Sequence, residues 1–171
     1  MEKSLEIKIV IPQFITHAPT RENKTTISPH IKLNSQLIYN SNLNRFARNN
    51  VVNFLHKYIA KYIPKDLKIT KFPIQVGLNF YVPKNYGSVS RRKLKIDGQY
   101  HILWKKPTED YEINWDIGNY GYIWLKTFLD TLQIEGVIPD DNASYVISET
   151  SKFIEVETFE ERKLEFVIIN N

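Results

Sequence analysis

Carboxylates and a lysine are concentrated in one stretch of the sequence, residues 116–142. Lys126 and Asp130 are four positions apart, and the pair Asp140-Asp141 begins ten positions after Asp130. Two adjacent carboxylates repel each other unless each stays hydrated or meets a cation. Carboxylate oxygens are ligands that Mg²⁺ prefers, and a lysine beside them can stabilise negative charge on a phosphate. The stretch therefore predicts metal-assisted phosphoryl chemistry, with a plain surface turn at the aspartate pair as the alternative.

A helix is predicted to position these side chains. The segment Asn119–Gln133 has apolar residues at helical spacing, and Gly136 is the expected C-terminal stop. Asp116 precedes this helix, where an aspartate can both cap the first turn and bind a metal ion. About 16 residues of helix span roughly 24 Å, so Asp141 can approach Asp116 only if the loop after Gly136 folds back along the helix.

The rest of the chain predicts a mixed arrangement of strands and helices. Four further segments have a clear period: a strand at 5–11 ended by Pro12, a helix at 42–62 capped by Ser41, a strand at 67–82, and two or three strands after Ser144. Residues 13–40 predict a loop or an irregular hairpin. Pro73 predicts an edge position or a bulge for its strand, because proline cannot donate to a sheet ladder. The order of elements indicates the α/β or α+β class, with a mixed β-sheet and two principal helices.

Composition restricts the class of protein. The 171 residues suffice for a single domain, 1–171, and 42% apolar with 25% charged residues is typical of a globular fold. The absence of cysteine excludes disulfides, thiolate metal sites and cysteine nucleophiles. The first residues lack the apolar run of a signal peptide, and no stretch approaches a membrane-spanning length. We therefore expect a cytoplasmic protein without a membrane partner.

The charges are divided between two parts of the chain. Residues 1–106 hold 19 of the 23 Lys and Arg and 5 of the 19 acids, a balance of +14, whereas residues 107–171 have a balance of −10. The two parts could attract each other within one fold, or a polyanion-binding surface could lie beside an acidic metal site. A basic excursion at 83–111, with a hairpin turn at Asp97-Gly98, is expected to contact DNA phosphates unless it is only a solvated hairpin. Its cations are Arg91, Arg92, Lys93, Lys95, Lys105 and Lys106.

The tryptophans and histidines are assigned structural rather than chemical roles. Large aromatic side chains are usually core or interface anchors, and this is expected of Trp104, Trp115 and Trp124. The histidines have no metal-ligand spacing, and no catalytic role is predicted for His17, His30, His56 or His101.

The stretch Asp116–Asn142 resembles the RusA-type Holliday junction resolvases, which are small, homodimeric, magnesium-dependent endonucleases of phages and prophages. Their pattern is Asp-x-Asp-Asn, then a helix carrying a lysine with an aspartate four residues on, and an Asp-Asp pair ten residues beyond. Lys126, Asp130 and Asp140 match that spacing. Upstream, "IKIVIP", the helix at 42–62 and "LNFYVP" are similar to the family's opening strand, its first helix and the strand before its acidic motif.

The resemblance implies a role for each of these residues. Lys126 would stabilise the charge of the transition state, while Asn119 and Asp130 would support the site. The resemblance also implies a RusA-like homodimer that cuts branched DNA, such as a four-way junction, by metal-dependent phosphodiester hydrolysis in the cytoplasm of a bacterial host. The catalytic ion would be Mg²⁺, or Mn²⁺ in its place, bound by Asp116, Asp140 and Asp141.

The sequence departs from the family pattern at two places. "DIGN" stands where the family has Asp-x-Asp-Asn, so Gly118 replaces an acidic residue. Asn119 is also about four residues further from Lys126 than in the family, roughly one helical turn. Glu112 or Asn114 could supply the missing ligand. Two alternatives therefore stay open: a catalytically weakened or inactive RusA-like DNA-binding protein, and a phage interaction protein unrelated to DNA.

Overall fold

A four-stranded mixed sheet with helices on one face organises the chain. The computed structural model describes residues 5–12, 14–21, 30–39, 43–83, 91–96, 99–105 and 117–170. The elements, in chain order, are β1 (Leu5–Pro12), β2 (His17–Pro19), β3 (His30–Lys32), α1 (Ser35–Tyr39), α2 (Arg45–Ala60), β4 (Ile74–Pro83), β5 (Arg91–Ile96), β6 (Gln99–Lys105), α3 (Ile117–Ile134), β7 (Val146–Val156), a 3₁₀ turn (Phe159–Glu161) and β8 (Lys163–Asn170).

The strands of the main sheet lie in the order β1-β8-β4-β7. β8 is antiparallel to both β1 and β4, whereas β4 and β7 are parallel and are connected through α3. The predicted mixed sheet with two principal helices is thus confirmed. The predicted edge position at Pro73 is wrong, because β4 lies inside the sheet and Pro73 precedes its first paired residue. A register shift between Ile74 and Gln75 does follow the proline, in line with the predicted bulge.

Both principal helices start at positions slightly different from those predicted. α2 begins at Arg45 and is capped by Asn44, whose side-chain oxygen accepts a hydrogen bond from the Ala47 amide at 2.9 Å, so the predicted cap at Ser41 is wrong. α3 runs from Ile117 to Ile134, and Gly136 follows with φ 66°, as the predicted C-terminal stop requires. The first turn of α3 therefore includes both Gly118 and Asn119.

The core lies between the sheet and the helix layer. Alternate residues of β4 point into it, and Ile74, Val76, Leu78 and Phe80 are all buried. The rings of Phe128 in α3 and Phe166 in β8 stack with centroids 3.9 Å apart. Trp124 of α3 is also buried and packs against other aromatic rings, consistent with its predicted role as a core anchor.

Two short hairpins accompany the main sheet. β5 pairs antiparallel with β6, and Ile96 pairs with Gln99, so two residues connect these strands as predicted from the Asp97-Gly98 dipeptide. In the segment predicted as a loop or irregular hairpin, β2 and β3 form a short antiparallel pair followed by α1. No helix in the described part of the chain has both the length and the apolar character to cross a membrane.

The second face of the sheet, here called the open face, carries polar side chains on the strand positions that point away from the helices. Glu165 lies near its centre, only 8% exposed, and its carboxylate accepts hydrogen bonds from the Asn79 amide at 2.8 Å and the Tyr81 hydroxyl at 3.4 Å. The ammonium of Lys163 lies 4.3 Å from the centre of the Tyr81 ring. Lys8 on the adjacent strand completes what we call the open-face cluster: Glu165, Asn79, Tyr81, Lys163 and Lys8.

Candidate functional site

The predicted lysine and aspartate of α3 form an ion pair on its partly exposed side. The Lys126 ammonium lies 3.5 Å from Asp130 Oδ1, and the two side chains are 39% and 29% exposed. Four residues of helix place their Cβ atoms on one face, so the sequence spacing is sufficient to produce the contact. At this distance the pair is loose, which leaves Lys126 able to bind a further anion.

The loop after α3 turns back against the last turn of the helix, where the Gln133 side chain donates to Asp140 at 2.9 Å. The predicted approach of Asp141 to Asp116 lies outside the described residues. The amide of Val137 donates to the Leu132 carbonyl at 2.8 Å, and Val137 and Ile138 are buried against the core. These contacts reverse the chain direction, and the carboxylate of Asp141 then acts electrostatically on Lys126. Asp141 is therefore close enough to Lys126 to raise its pKa.

The pKa of Lys126 records this environment. Partial burial is the largest single influence and lowers it, but the Asp130 carboxylate, its hydrogen bond, Asp141 and Tyr122 together outweigh burial. The pKa of Lys126 consequently lies above its ordinary value. The ammonium is charged throughout the physiological range, as a group that binds phosphate must be.

The two members of the aspartate pair have different surroundings. Asp140 Oδ1 accepts hydrogen bonds from the Gln133 side chain at 2.9 Å and the Asp141 amide at 2.8 Å, and Oδ2 accepts one from the Asn142 side chain at 2.6 Å. The Asp141 amide, then Asn142, are the largest influences that hold the pKa of Asp140 below its ordinary value. Asp140 thus shapes the loop, whereas Asp141 is the member of the pair that influences the pKa of Lys126.

Side chains from α1 and α2 complete the surroundings of the ion pair. The rings of Tyr39 in α1 and Tyr122 in α3 meet edge to face, with centroids 6.1 Å apart. Burial is the main cause that raises the pKa of Tyr39, and this hydroxyl also senses the charges of Lys126, Asp130 and Arg48. One short helix and two long ones therefore converge on the lysine and aspartate of α3.

His56 of α2 reaches α3 from the other side. Its Nδ1 lies 2.9 Å from the hydroxyl of Thr131, and that hydroxyl donates its only proton to the Thr127 carbonyl at 2.6 Å. Burial lowers the pKa of His56 most strongly, Asp130 raises it and Lys126 lowers it. His56 is thus within electrostatic reach of both members of the ion pair. We call the set formed by Lys126, Asp130, Asp141, Tyr39 and His56 the helix-layer cluster.

Several predicted site residues lie wholly or partly outside the described structure. Asp116 and Lys106 are outside the described residues, and Asn119 is described only as part of the α3 backbone. Nine residues separate Ile117 from Lys126, about 14 Å along the axis. If Asp116 is to share an ion with Asp141, the chain before Ile117 must turn back along α3. The other predicted DNA-contacting cations lie on the β5–β6 hairpin: Arg91, Arg92, Lys93, Lys95 and Lys105.

The helix-layer cluster lacks the arrangement of ligands expected of a metal site in the described part of the chain. Within the described residues, no group of three or more histidine, aspartate or glutamate side chains is arranged to hold a metal ion. Compared with known proteins, the sequence matches no protein-family model and no curated protein. The residues of the cluster are therefore the basis for assigning its chemistry.

Sequence spacing could not identify Tyr39 and His56 as members of the cluster. Both lie far from Lys126 in the chain and approach it only because α1 and α2 pack beside α3. The one available signal for His56 is that it lies beside the buried stripe of α2, next to Leu55 and three residues before Ile59. A polar side chain beside such a stripe often has a partner on the neighbouring helix.

Proposed function

We propose that the protein is a structure-selective DNA endonuclease that resolves Holliday junctions or other branched DNA by metal-dependent hydrolysis of phosphodiester bonds. The observation that carries the proposal is the Lys126–Asp130 ion pair at 3.5 Å, whose lysine is also under the electrostatic influence of Asp141. Lys126, Asp130 and Asp141, separated by 4 and 11 positions, would then form one site with a charged ammonium and two carboxylates. Lys126, Asp130 and the aspartate pair that begins at Asp140 match the spacing of the RusA-type resolvases.

In this site Lys126 binds the non-bridging oxygens of the scissile phosphate. Its loose pairing with Asp130 lets the ammonium exchange a 3.5 Å contact for a shorter one as negative charge develops on the phosphate. Asp130 limits the positions that the lysine side chain can adopt. Preorganised charge of this kind is usually the largest single contribution to such catalysis.

Mg²⁺ or Mn²⁺ would be held by Asp141 and by Asp116, which lies outside the described residues. Asp140 is less suitable, because three hydrogen bonds already engage its two oxygens. When bound, the ion would neutralise charge on the phosphate and lower the pKa of a coordinated water. The family pattern has one more carboxylate where Gly118 stands in this chain.

DNA would be recognised mainly through its phosphates. The balance of +14 over residues 1–106 favours association with a polyanion, and the sequence of the β5–β6 hairpin is rich in lysine and arginine. We include a RusA-like homodimer in the proposal, because two sites related by a two-fold axis can nick a four-way junction symmetrically.

A second candidate function is binding of branched DNA with weak or no cleavage. Two observations favour it: Gly118 stands at the position of a family carboxylate, and the described residues hold no three-carboxylate group. The basic hairpin and Lys126 would serve this function equally well.

The test is cleavage of a labelled four-way junction with Mg²⁺ or Mn²⁺, using wild type, Asp141→Asn and Asp66→Asn. Asp66 is an exposed loop aspartate and provides the matched control. We expect wild type and Asp66→Asn to nick the junction alike, and Asp141→Asn to lose about 100-fold or more in rate, because an uncharged amide is a poor ligand and a poor partner for Lys126.

The outcomes separate the candidates. Tight binding of the junction without nicking by any of the three proteins favours the second candidate. Cleavage that is equal in all three contradicts the assigned site, and failure to retain junction or duplex DNA at low salt contradicts both candidates.

A further inference from the structure

We infer that His56 is the catalytic base of the helix-layer cluster, its Nε2 taking the proton of the water that attacks the scissile phosphate. The inference rests on the proposed endonuclease function and extends it to a residue to which sequence analysis gave no catalytic role. Two observations support the inference: the hydrogen-bond chain between α2 and α3, and the electrostatic influence of the ion pair on the ring.

The protonation of the ring follows from the partners of Thr131. A hydroxyl has one proton, and Thr131 donates it to the Thr127 carbonyl at 2.6 Å. Towards His56, 2.9 Å away, the Thr131 oxygen can therefore only accept, so Nδ1 of the imidazole must carry a hydrogen. In the neutral ring the lone pair is then on Nε2, on the far side of the ring from Thr131.

This arrangement has the form of an oriented base. A third group fixes the tautomer and ring direction of the histidine, as a positioned partner does in other enzymes that use histidine to accept protons. Half-burial of His56 keeps the neutral form available near pH 7, because burial lowers its pKa. A neutral imidazole, unlike the charged Lys126, can accept a proton at that pH.

The charges around the ring are all on neighbouring helices or on α2 itself. Asp130 and Lys126 of α3 act on His56 directly and in opposite directions. Tyr39 of α1 and Arg48 of α2 lie around the same ion pair. A phosphate bound by Lys126 would thus lie within electrostatic reach of the ring.

The proposed step is balanced. A water proton passes to Nε2 as the water oxygen forms its bond to phosphorus, and the opposite P–O bond breaks. The leaving oxygen takes a proton from solvent, and Nε2 returns its proton to solvent before the next turnover. Lys126 stays charged throughout and Asp130 stays ionised.

The closing experiment compares wild type, His56→Asn and His17→Asn in junction cleavage as a function of pH. Asparagine places its amide nitrogen near the position of Nδ1, so the hydrogen bond to Thr131 can persist while the basic nitrogen is lost. For wild type we expect kcat/KM to rise tenfold per pH unit up to a pKa below the ordinary histidine value of about 6.5, and then to level. For His56→Asn we expect a loss of about 100-fold or more near pH 7, without this acid limb.

Rescue and controls distinguish a base from a structural residue. His56→Ala should regain activity when imidazole is added to the buffer, and His17→Asn, altered on β2 away from α3, should keep the wild-type profile. A pH titration of the His56 side chain followed by NMR provides a readout that does not depend on DNA cleavage. Asp130→Asn should lower the pKa of His56, and Lys126→Gln should raise it.

Each outcome decides the inference. Cleavage by wild type with an unchanged rate and pH profile in His56→Asn overturns the inference and leaves the endonuclease function standing. No cleavage by wild type at any pH with either ion overturns both. A His56 pKa that is insensitive to Asp130→Asn and Lys126→Gln overturns the placement of the ring in this cluster.

Discussion

The helix-layer cluster and the open-face cluster contain similar side chains, but these differ in how far they are buried and hydrogen-bonded. Each has a carboxylate, a lysine and a tyrosine. Glu165 of the open-face cluster is 8% exposed and accepts hydrogen bonds from two neutral donors, whereas Asp130 of the helix-layer cluster is 29% exposed and pairs with Lys126 at 3.5 Å. A carboxylate that is sealed and satisfied stabilises the fold, and one that is accessible and loosely paired can act on a ligand.

The difference teaches that residue types alone do not identify a functional site. The open-face cluster belongs to adjacent strands whose register fixes every contact, for example Asn79 opposite Glu165. The helix-layer cluster is assembled from three helices and a loop, and its members keep hydrogen-bonding capacity. Function is therefore expected where packing leaves charged groups partly exposed and able to form further hydrogen bonds.

The largest expected effect separates the lysines of the two clusters in catalysis. Lys126→Gln should reduce junction cleavage by about 100-fold or more, because it removes the charge that binds the scissile phosphate. Lys163→Gln, on the open face, should leave the cleavage rate within about twofold. Single-turnover cleavage assays measure both, and equal losses in the two variants would contradict the distinction between the clusters.

The next effect concerns folding stability, where the open-face cluster rather than the helix-layer cluster should give the larger change. Glu165→Ala should lower the free energy of unfolding by about 1–3 kcal/mol, because it leaves the Asn79 amide without its acceptor in a nearly buried position. Asp130→Ala should lower it by no more than about 0.5 kcal/mol, as is typical of an i,i+4 pair on a helix surface. Urea unfolding measures both, and the comparison fails if Asp130→Ala is the more destabilising.

The smallest expected effect is the pH dependence that His56 adds to stability. Its folded-state pKa is depressed, so the unfolded chain binds a proton more readily than the folded chain. The stability that His56 contributes is therefore complete above the unfolded value of about 6.5 and is lost as pH falls through the lower folded pKa. Melting temperatures of wild type should fall more between pH 7.5 and 5 than those of His56→Asn. A steeper fall in the variant would contradict the depressed pKa.

The sequence predicted those features that depend on local spacing. Helical periodicity identified α2 and α3, Gly136 marked the end of α3, and the four-residue step from Lys126 to Asp130 predicted their contact. The path of the loop that carries Asp141 could not be predicted, because nothing in the loop sequence shows that Val137 and Ile138 pack against the core.

Features that depend on packing between distant segments were mispredicted or missed. Pro73 predicts an edge position or a bulge; a register shift does follow it, but β4 is flanked by β8 and β7 because the proline precedes the first ladder pair. His56 was given no role, since its contact with Thr131 spans 75 positions. Periodicity reports which side of a helix is buried and carries no information on which helix it meets.

The position of β8 determines when the sheet can be completed during protein synthesis. β8 is the last strand of the described chain, yet it lies between β1, the first strand, and β4. Until the ribosome has released residues 163–170, β1 has no hydrogen-bonding partner in the sheet, and β4 is paired on one side at most. Nascent chains should therefore stay protease-sensitive until residues 163–170 have emerged, and a stop codon just before Lys163 would remove an interior strand rather than trim an edge.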